Sequence, residues 1–446
     1  MRRELHYFDI YPKTVLNGAL SSITVRALGS HAGFTAGKSY KTTFIPMCET
    51  IDGTGNHEYA SIQATAQENI LQFNYLFTGE QEYDIRITMN DEGRFIMLSV
   101  YCLDNDLYGL VPLKGDLHVH TNFSDGAERP EKVAANYRKE GYDFLVISDH
   151  WNYEGSVTAQ KFYEGVPIDI NIVNGEEVHA PGNHTHIVNF GGESSVNELF
   201  TKDEAAYNSE VLKIAESIDI PENAGTFNKY ECASCLWVSD AIRCAKGLSI
   251  FAHPFWIVDA YHINPDMTRF LIKSGTFDAL ELVGGLSPRE NMMQLAFYHT
   301  EKVLGNADIP IVGSSDSHGT VHEKFEGSWF SNPVDNEHGY FELYSIVFAP
   351  ANNKDAIIQF IKKGYSVAVD NYPGETPRVH GDYRMVSYAL FLISEYFPLH
   401  GEICFEEGRA MQQYATGSDD NALTALGFLH GRIIHFWKKY FGYDAR

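Results

Sequence analysis

Apolar and polar positions alternate along the first 110 residues. Ser22–Arg26, Tyr40–Ile45, Ile70–Phe77, Tyr83–Thr88 and Arg94–Tyr101 carry β-branched and aromatic residues, often at every second place. That is the pattern of strands with one buried face. Gly53-Thr54-Gly55 and Asn90-Asp91-Glu92-Gly93 punctuate them as turns. Several short strands at this spacing predict a β-sandwich over residues 1–111. No cluster of ligand-type side chains falls within it. The segment therefore reads as an accessory domain that packs on a catalytic domain or aids assembly.

From about residue 112 to 372 the period changes. Ala127–Glu140 predicts a helix, with Pro130 near its first turn and Gly141 past its end. Phe144–Ile147 is a fully apolar strand, and Ile168–Val173, His186–Phe190, Leu248–Phe251, Ala279–Val283 and Ile309–Val312 read as further strands. Helices are expected near Pro265–Ser274 and Glu290–Leu304. An insertion over about 197–246 carries two more, Lys202–Ser217 and Val238–Lys246. Such alternation predicts an α/β domain with a mainly parallel sheet, open or closed. After 372 the pattern is helical. Tyr383–Tyr396 and Asn421–Tyr440 read as amphipathic helices flanking a more polar piece, Glu406–Tyr414. Residues 373–446 thus form a helical extension, read as a packing or dimerisation bundle.

A length of 446 residues suits about two or three domains. The chain is 44% hydrophobic and 21% charged, as in soluble globular proteins. Its 34 basic and 59 acidic residues leave a formal net charge of −25. Such a surface disfavours nucleic acid and anionic membrane as partners, so a small-molecule substrate is expected. A phosphorylated one is compatible if bound metal makes the pocket locally positive. No apolar core segment follows Met1-Arg2-Arg3, and no apolar run approaches membrane-spanning length, so neither a signal peptide nor a span is expected. The six cysteines are scattered, which favours a reducing, cytoplasmic setting. Cys232-Ala-Ser-Cys235 has CxxC spacing but neither a second pair nor a nearby histidine. A homo-oligomer is left open.

The chemistry sits where apolar strands end. Lys114–Gly126 packs His118, His120 and Asp125 into eight residues, with Leu117 and Val119 on the face opposite the histidines. Ser148-Asp149-His150, Gly175-Glu176-Glu177, His184-Thr185-His186, Ala252-His253-Pro254 and Ser315-Asp316-Ser317-His318 follow, each beside a strand. Imidazole and carboxylate together suit Zn, Mn or Fe, and the absence of thiolates argues against a Cys-type structural zinc. These candidates outnumber the roughly four ligands of one zinc, so bridging carboxylates and about two or three divalent metal ions are expected.

In order and spacing, these motifs resemble those of the PHP (polymerase and histidinol phosphatase) superfamily over roughly residues 112–372. The β-rich segment before them is similar to the arrangement in PHP metallohydrolases that include carbaryl hydrolases. The resemblance implies a distorted (β/α)7 barrel with a trinuclear centre at the C-terminal ends of its strands. It implies that His118, His120, Glu177 and Asp316 hold one metal, that Glu177 bridges to a second also held by His186 and His253, and that Asp125, His150 and His318 hold a third. Glu176 competes with Glu177 for its role. His184, and more distantly His179, compete with His186.

Clustered divalent metals generate a hydroxide near neutral pH and stabilise negative charge as it develops. Gly-X-Ser-X-Gly and the Walker-type phosphate loop are both absent. The expected function is a phosphoesterase using a metal-bound hydroxide. Hydrolysis of a carboxyl ester or carbamate by the same centre, and a non-catalytic metal-binding role, are the alternatives. Asp149 is a candidate for orienting a ligand and Arg289 for gripping a phosphate. Glu281 and His322 are further pocket candidates. The loops around 255–265 and 319–335, the latter with Phe325, Trp329 and Phe330, are expected to shape the pocket.

Overall fold

The alternation in the first 110 residues becomes eight strands in a computed structural model. It describes residues 3–29, 33–48, 58–90, 92–220, 227–319, 342–372, 374–417 and 420–442. Gly53-Thr54-Gly55, Asp91, His322, Phe325, Trp329 and Phe330 lie outside the described residues. The chain divides into two compact units. One takes residues 1–111, 382–403 and 431–446, and the other takes 112–381 and 404–430.

In the first unit the strands hydrogen-bond in the order Phe8–Tyr11, Leu20–Ala27, Ile70–Leu76, Ser61–Gln67, Ser39–Pro46, Gln81–Thr88, Phe95–Leu103 and Thr14–Leu16. Neighbours run antiparallel except the last pair, which is parallel. Residues from both ends of this order share one core, with Ile10 and Val25 joined by Ile85 and Val100. Phe44, in that core, stacks on the half-buried Tyr75 with ring centroids 3.6 Å apart. Ser61–Gln67 escapes the apolar pattern because its inward positions, Ala64 and Ala66, are small.

The helices expected as one C-terminal extension divide between the units. The helix Tyr383–Glu395 places Tyr388 and Phe391 against Tyr101, and Arg384 pairs with Glu80 and Asp106 at 3.0 and 2.9 Å. Tyr440 donates from its hydroxyl to Asp9 at 2.8 Å. These contacts keep both segments with the strands of the first unit. Glu407 instead pairs with the buried Arg138 of the second. Two expectations are corrected here. Glu406–Tyr414 is no separate polar piece but lies within a helix of 21 residues, Phe397–Gly417. Asn421–Tyr440 is not one helix. It breaks into Asp420–Leu429 and Arg432–Phe441 at Gly431, whose φ of 78° is the left-handed conformation that ends a helix.

The second unit is mixed α/β and holds two larger sheets. One runs Asn171–Val173, Phe144–Val146, Val111–Asp116, Leu343–Ala349, Ser366–Asp370 and Arg378–His380. The other runs Gly175–Val178, Ile187–Phe190, Leu248–Phe251, Ala279–Val283 and Ile311–Gly313. Each combines parallel and antiparallel pairs. The expected mainly parallel sheet is therefore corrected to a mixed one. Gly175–Val178 and Ile187–Phe190 are joined by too little chain for a crossover helix, so the second returns antiparallel. The insertion carries a longer helix than expected, Lys229–Cys244, capped by Asn228. Cys232 and Cys235 lie buried in it, and burial pushes their thiols up to about 12 and about 11. Among the described residues no helix is long and apolar enough to cross a membrane.

Candidate metal centre

The strand Val111–Asp116 delivers the chain into the centre, and Asp116 fixes the delivery. This fully buried carboxylate accepts from the backbone N–H of His118 and of Ser315, both at 3.1 Å, and from the Tyr137 hydroxyl at 3.0 Å. It thereby ties the His118–His120 segment to the loop that carries Asp316. Gly285 is pressed against that loop too, since a Cβ there would lie 2.2 Å from the Ser315 carbonyl oxygen. Two isolated bridges, Val119 with Ser317 and His150 with Glu177, join the strand ends of one sheet to those of the other.

Glu177 stands at the middle, fully buried. Its Oε2 lies 3.3 Å from His118 Nε2, 3.5 Å from His120 Nε2 and 2.7 Å from His150 Nδ1. Its Oε1 faces another group, 2.9 Å from His186 Nδ1 and 3.4 Å from His253 Nε2. Asp316 Oδ1 lies 3.3 Å from His118 Nε2 and 3.0 Å from His120 Nε2. Asp125 Oδ1 lies 3.5 Å from His150 Nε2 and 3.3 Å from His318 Nε2. All the residues expected to bind metal therefore converge in space. Their donor atoms form overlapping sets, including His118-His120-Glu177, His118-His253-Asp316 and His120-Asp125-His150-His318.

The donor chemistry fits metal. Among the described residues His118 Nε2, His186 Nδ1 and both Glu177 carboxylate oxygens are buried without a hydrogen-bond partner. Such atoms are costly to bury unless a cation satisfies them. Burial pushes the Glu177 carboxyl up, but the imidazoles of His150, His186 and His118 outweigh it and hold the group well below the usual range. Asp316 is held down in the same way, against burial, by His118 and its neighbours. Burial lowers His120 to about 3 and His186 to about 4, so both present neutral lone pairs. His253 and Asp316 have φ values of 26° and 50°, in the left-handed region where non-glycine residues are strained.

The competing candidates separate clearly. Glu176 turns away and accepts from Ser195 Oγ at 2.7 Å and from Asn197 Nδ2 at 2.9 Å. His184 is exposed and pairs with Glu231 at 3.0 Å. Among the described residues Asp149 is paired with no imidazole nitrogen. Instead its carboxylate accepts from the Thr121 N–H and hydroxyl and from the Ser124 hydroxyl, each at 2.7 Å, and so anchors the turn that carries Asp125. Arg289 is exposed on the first turn of the helix Pro288–Val303. Glu281 is fully buried and holds His118 Nδ1 at 3.0 Å.

Two histidines at the centre lie outside the nine expected ligands: His179, the more distant competitor of His186, and His262. His179 Nε2 lies 2.8 Å from His150 Nδ1 and 3.5 Å from Glu177 Oε2. Its signal was its place two residues beyond Glu177, on the same side of an extended chain. His262 gathers with His186 and His253. No local spacing points to it.

Residues 116–304 match the family model of the PHP domain. A stretch of 74 residues is 34% identical to DNA polymerase/3'-5' exonuclease PolX of Bacillus subtilis, taking in 16% of this chain and 13% of that protein's length. Part of the structure is similar to a two-domain protein from Bacteroides vulgatus containing a predicted PHP-like metal-dependent phosphoesterase, at TM-score 0.38 and 16% identity, over 59% of this chain and 66% of that one. Part is similar to a candidate metal-dependent phosphoesterase from Bifidobacterium adolescentis, at TM-score 0.31 and 20% identity, over 46% of this chain and 87% of that one. An amidohydrolase from Chromobacterium violaceum gives TM-score 0.32 and 19% identity over the same shares.

Proposed function

We propose, on the match of residues 116–304 to the PHP domain, that the chain is a metal-dependent phosphoesterase of the PHP superfamily acting on a small phosphorylated substrate. The observation that carries this reading is Glu177, whose two oxygens face two separate histidine groups. A carboxylate so placed is suited to bridge two cations. In this reading His118, His120, Glu177 and Asp316 hold the first metal. Glu177, His186 and His253 hold the second, and Asp125, His150 and His318 hold the third. When bound, the metals supply an activated water as nucleophile and neutralise charge on the reacting group. Glu281 keeps His118 oriented, Asp149 keeps the Asp125 turn in place, and the exposed Arg289 is available to a substrate anion.

A closed, distorted (β/α)7 barrel belongs to the same proposal. It is supported by the two bridges between the sheets, and by Ser345 Oγ and Ser366 Oγ, on inner strands of one sheet, donating at 2.9 and 2.7 Å to Gly313 O and Ile311 O on an edge strand of the other. The shared core of the first unit supports a β-sandwich there. The net charge of −25 supports a small-molecule substrate over nucleic acid or membrane, and the scattered cysteines support a cytoplasmic setting.

One observation favours a second reading. A cavity of about 380 Å³ reaches His262 and is lined by His184, Phe227, Glu231 and Tyr261, with no lysine or arginine among the described residues. That lining suits a neutral carboxyl ester or carbamate. Metal-loaded protein assayed on a phosphomonoester panel beside an aryl carbamate and an aryl ester separates the two. Phosphate release, abolished in Asp316→Ala and His120→Ala, is the expected result. Turnover of the carbamate or ester alone would overturn the phosphoesterase reading.

A further inference from the structure

His262 belongs to none of the motifs that compose the centre, yet the fold returns it there. The chain leaves His253 and makes the short hairpin of Ile257–Val258 and Ala260–Tyr261. It closes on itself through His262 N–H to the Trp256 carbonyl at 2.6 Å and Ile263 N–H to the Pro254 carbonyl at 3.0 Å. The His262 ring thereby comes to 4.5 Å from that of His186 and 5.8 Å from that of His253, centroid to centroid. Each of the three offers a nitrogen within 4.8 Å of the others. Among the described residues His262 Nδ1 is buried without a hydrogen-bond partner. Glu177 Oε1 is the carboxylate oxygen that faces His186 and His253.

We propose that His262 is a third imidazole ligand of the second metal position, and that this position therefore prefers zinc to manganese. The inference rests on the metal-centre reading above. With His262 included, the second position offers three imidazoles and one carboxylate oxygen. The first offers two imidazoles and two carboxylates, and the third two imidazoles and one carboxylate. Imidazole-rich sets favour zinc over manganese, whereas carboxylate-rich sets are more accommodating of manganese. His262 also lines the cavity beside the centre. The plain competitor is that it touches only what enters that cavity.

Metal-stripped protein is titrated separately with Zn2+ and Mn2+ against a chromophoric chelator, and bound metal is counted by plasma mass spectrometry. The wild type is expected to show a tight zinc step that is about 10- to 100-fold weaker in His262→Ala and in His262→Gln, with the remaining steps unmoved. X-ray absorption of wild-type protein holding one zinc per chain needs no substitution, and is expected to count three imidazole nitrogens. Two or fewer would overturn the proposal. So would variants with unchanged zinc steps and a raised KM, which would make His262 a substrate contact. A wild type that takes up neither metal would sink the metal-centre reading itself, a result distinct from both.

Discussion

Glu281 Oε2 lies 3.0 Å from Nδ1 of His118, and both side chains are fully buried. A carboxylate on one ring nitrogen fixes the tautomer and leaves the other, Nε2, as a lone-pair donor. That nitrogen is the one facing Glu177 and Asp316. Glu281→Gln preserves the shape but weakens this polarisation. We expect affinity at the first position to fall about 10- to 100-fold, read by chelator competition, with kcat falling alongside. Unchanged affinity would reduce Glu281 to a packing group.

Gly155 is the close neighbour of the Asp149 anchor. A Cβ there would sit 2.0 Å from Asp149 Oδ2, the oxygen that accepts from the Thr121 hydroxyl. Gly155→Ala should push that carboxylate aside and loosen the turn bearing Asp125. The expected cost is about 1–3 kcal/mol by urea unfolding, as for other overpacked sites. Metal content should drop at the position Asp125 serves, while the first position holds.

Burial pushes the Asp116 carboxyl up from 3.8 to about 7, against the hydrogen bonds from Ser315, His118 and Tyr137 that lower it. A carboxyl raised on folding takes up a proton as the chain folds. Its contribution to stability is intact below about pH 4 and is lost as pH rises through about 7. Asp116→Asn removes that titration. In metal-free protein, the stability of wild type relative to Asp116→Asn should therefore decline between pH 4 and pH 8. Parallel urea midpoints across that range would contradict the assignment.

Arg138 is fully buried, its Nε 2.8 Å from Glu407 Oε2 and its Nη1 3.0 Å from the Tyr142 carbonyl. Glu407→Ala removes the nearer of the guanidinium's two buried carboxylates, Asp143 lying 3.4 Å from Nη1, and should cost about 3 kcal/mol. The double variant Arg138→Met with Glu407→Leu should lose less, because the guanidinium leaves together with the carboxylate on its Nε, at the cost of the 3.4 Å contact between Arg138 Nη1 and Asp143. Thermal unfolding of the two variants decides it.

The centre was legible wherever its chemistry is local. His118 and His120 alternate on one strand end, and Asp316 and His318 share one turn, so short spacings announced them. The choice of Glu177 over Glu176 follows from which side of a strand each takes, and the structure turns Glu176 into the anchor of the 195–197 turn. His262 was illegible because a hairpin return, not a spacing, brings it to His186. Strand direction was also beyond local pattern, since it depends on what connects the strands. Leu343–Ala349 is the opposite case. Seven buried residues form an inner strand, and their apolar run is a local signal. Gly431 ends a helix that the apolar spacing alone would have carried through to Tyr440.

The left-handed backbone at His253 and Asp316 bears on how quickly the centre fills. Each costs of the order of 1–3 kcal/mol and is held by the surrounding fold. Ions arriving from solution would meet donors that are already aimed. Capture should then run at the pace at which an ion sheds its water, and stopped-flow loading should show one fast phase per ion with no slower phase from chain rearrangement.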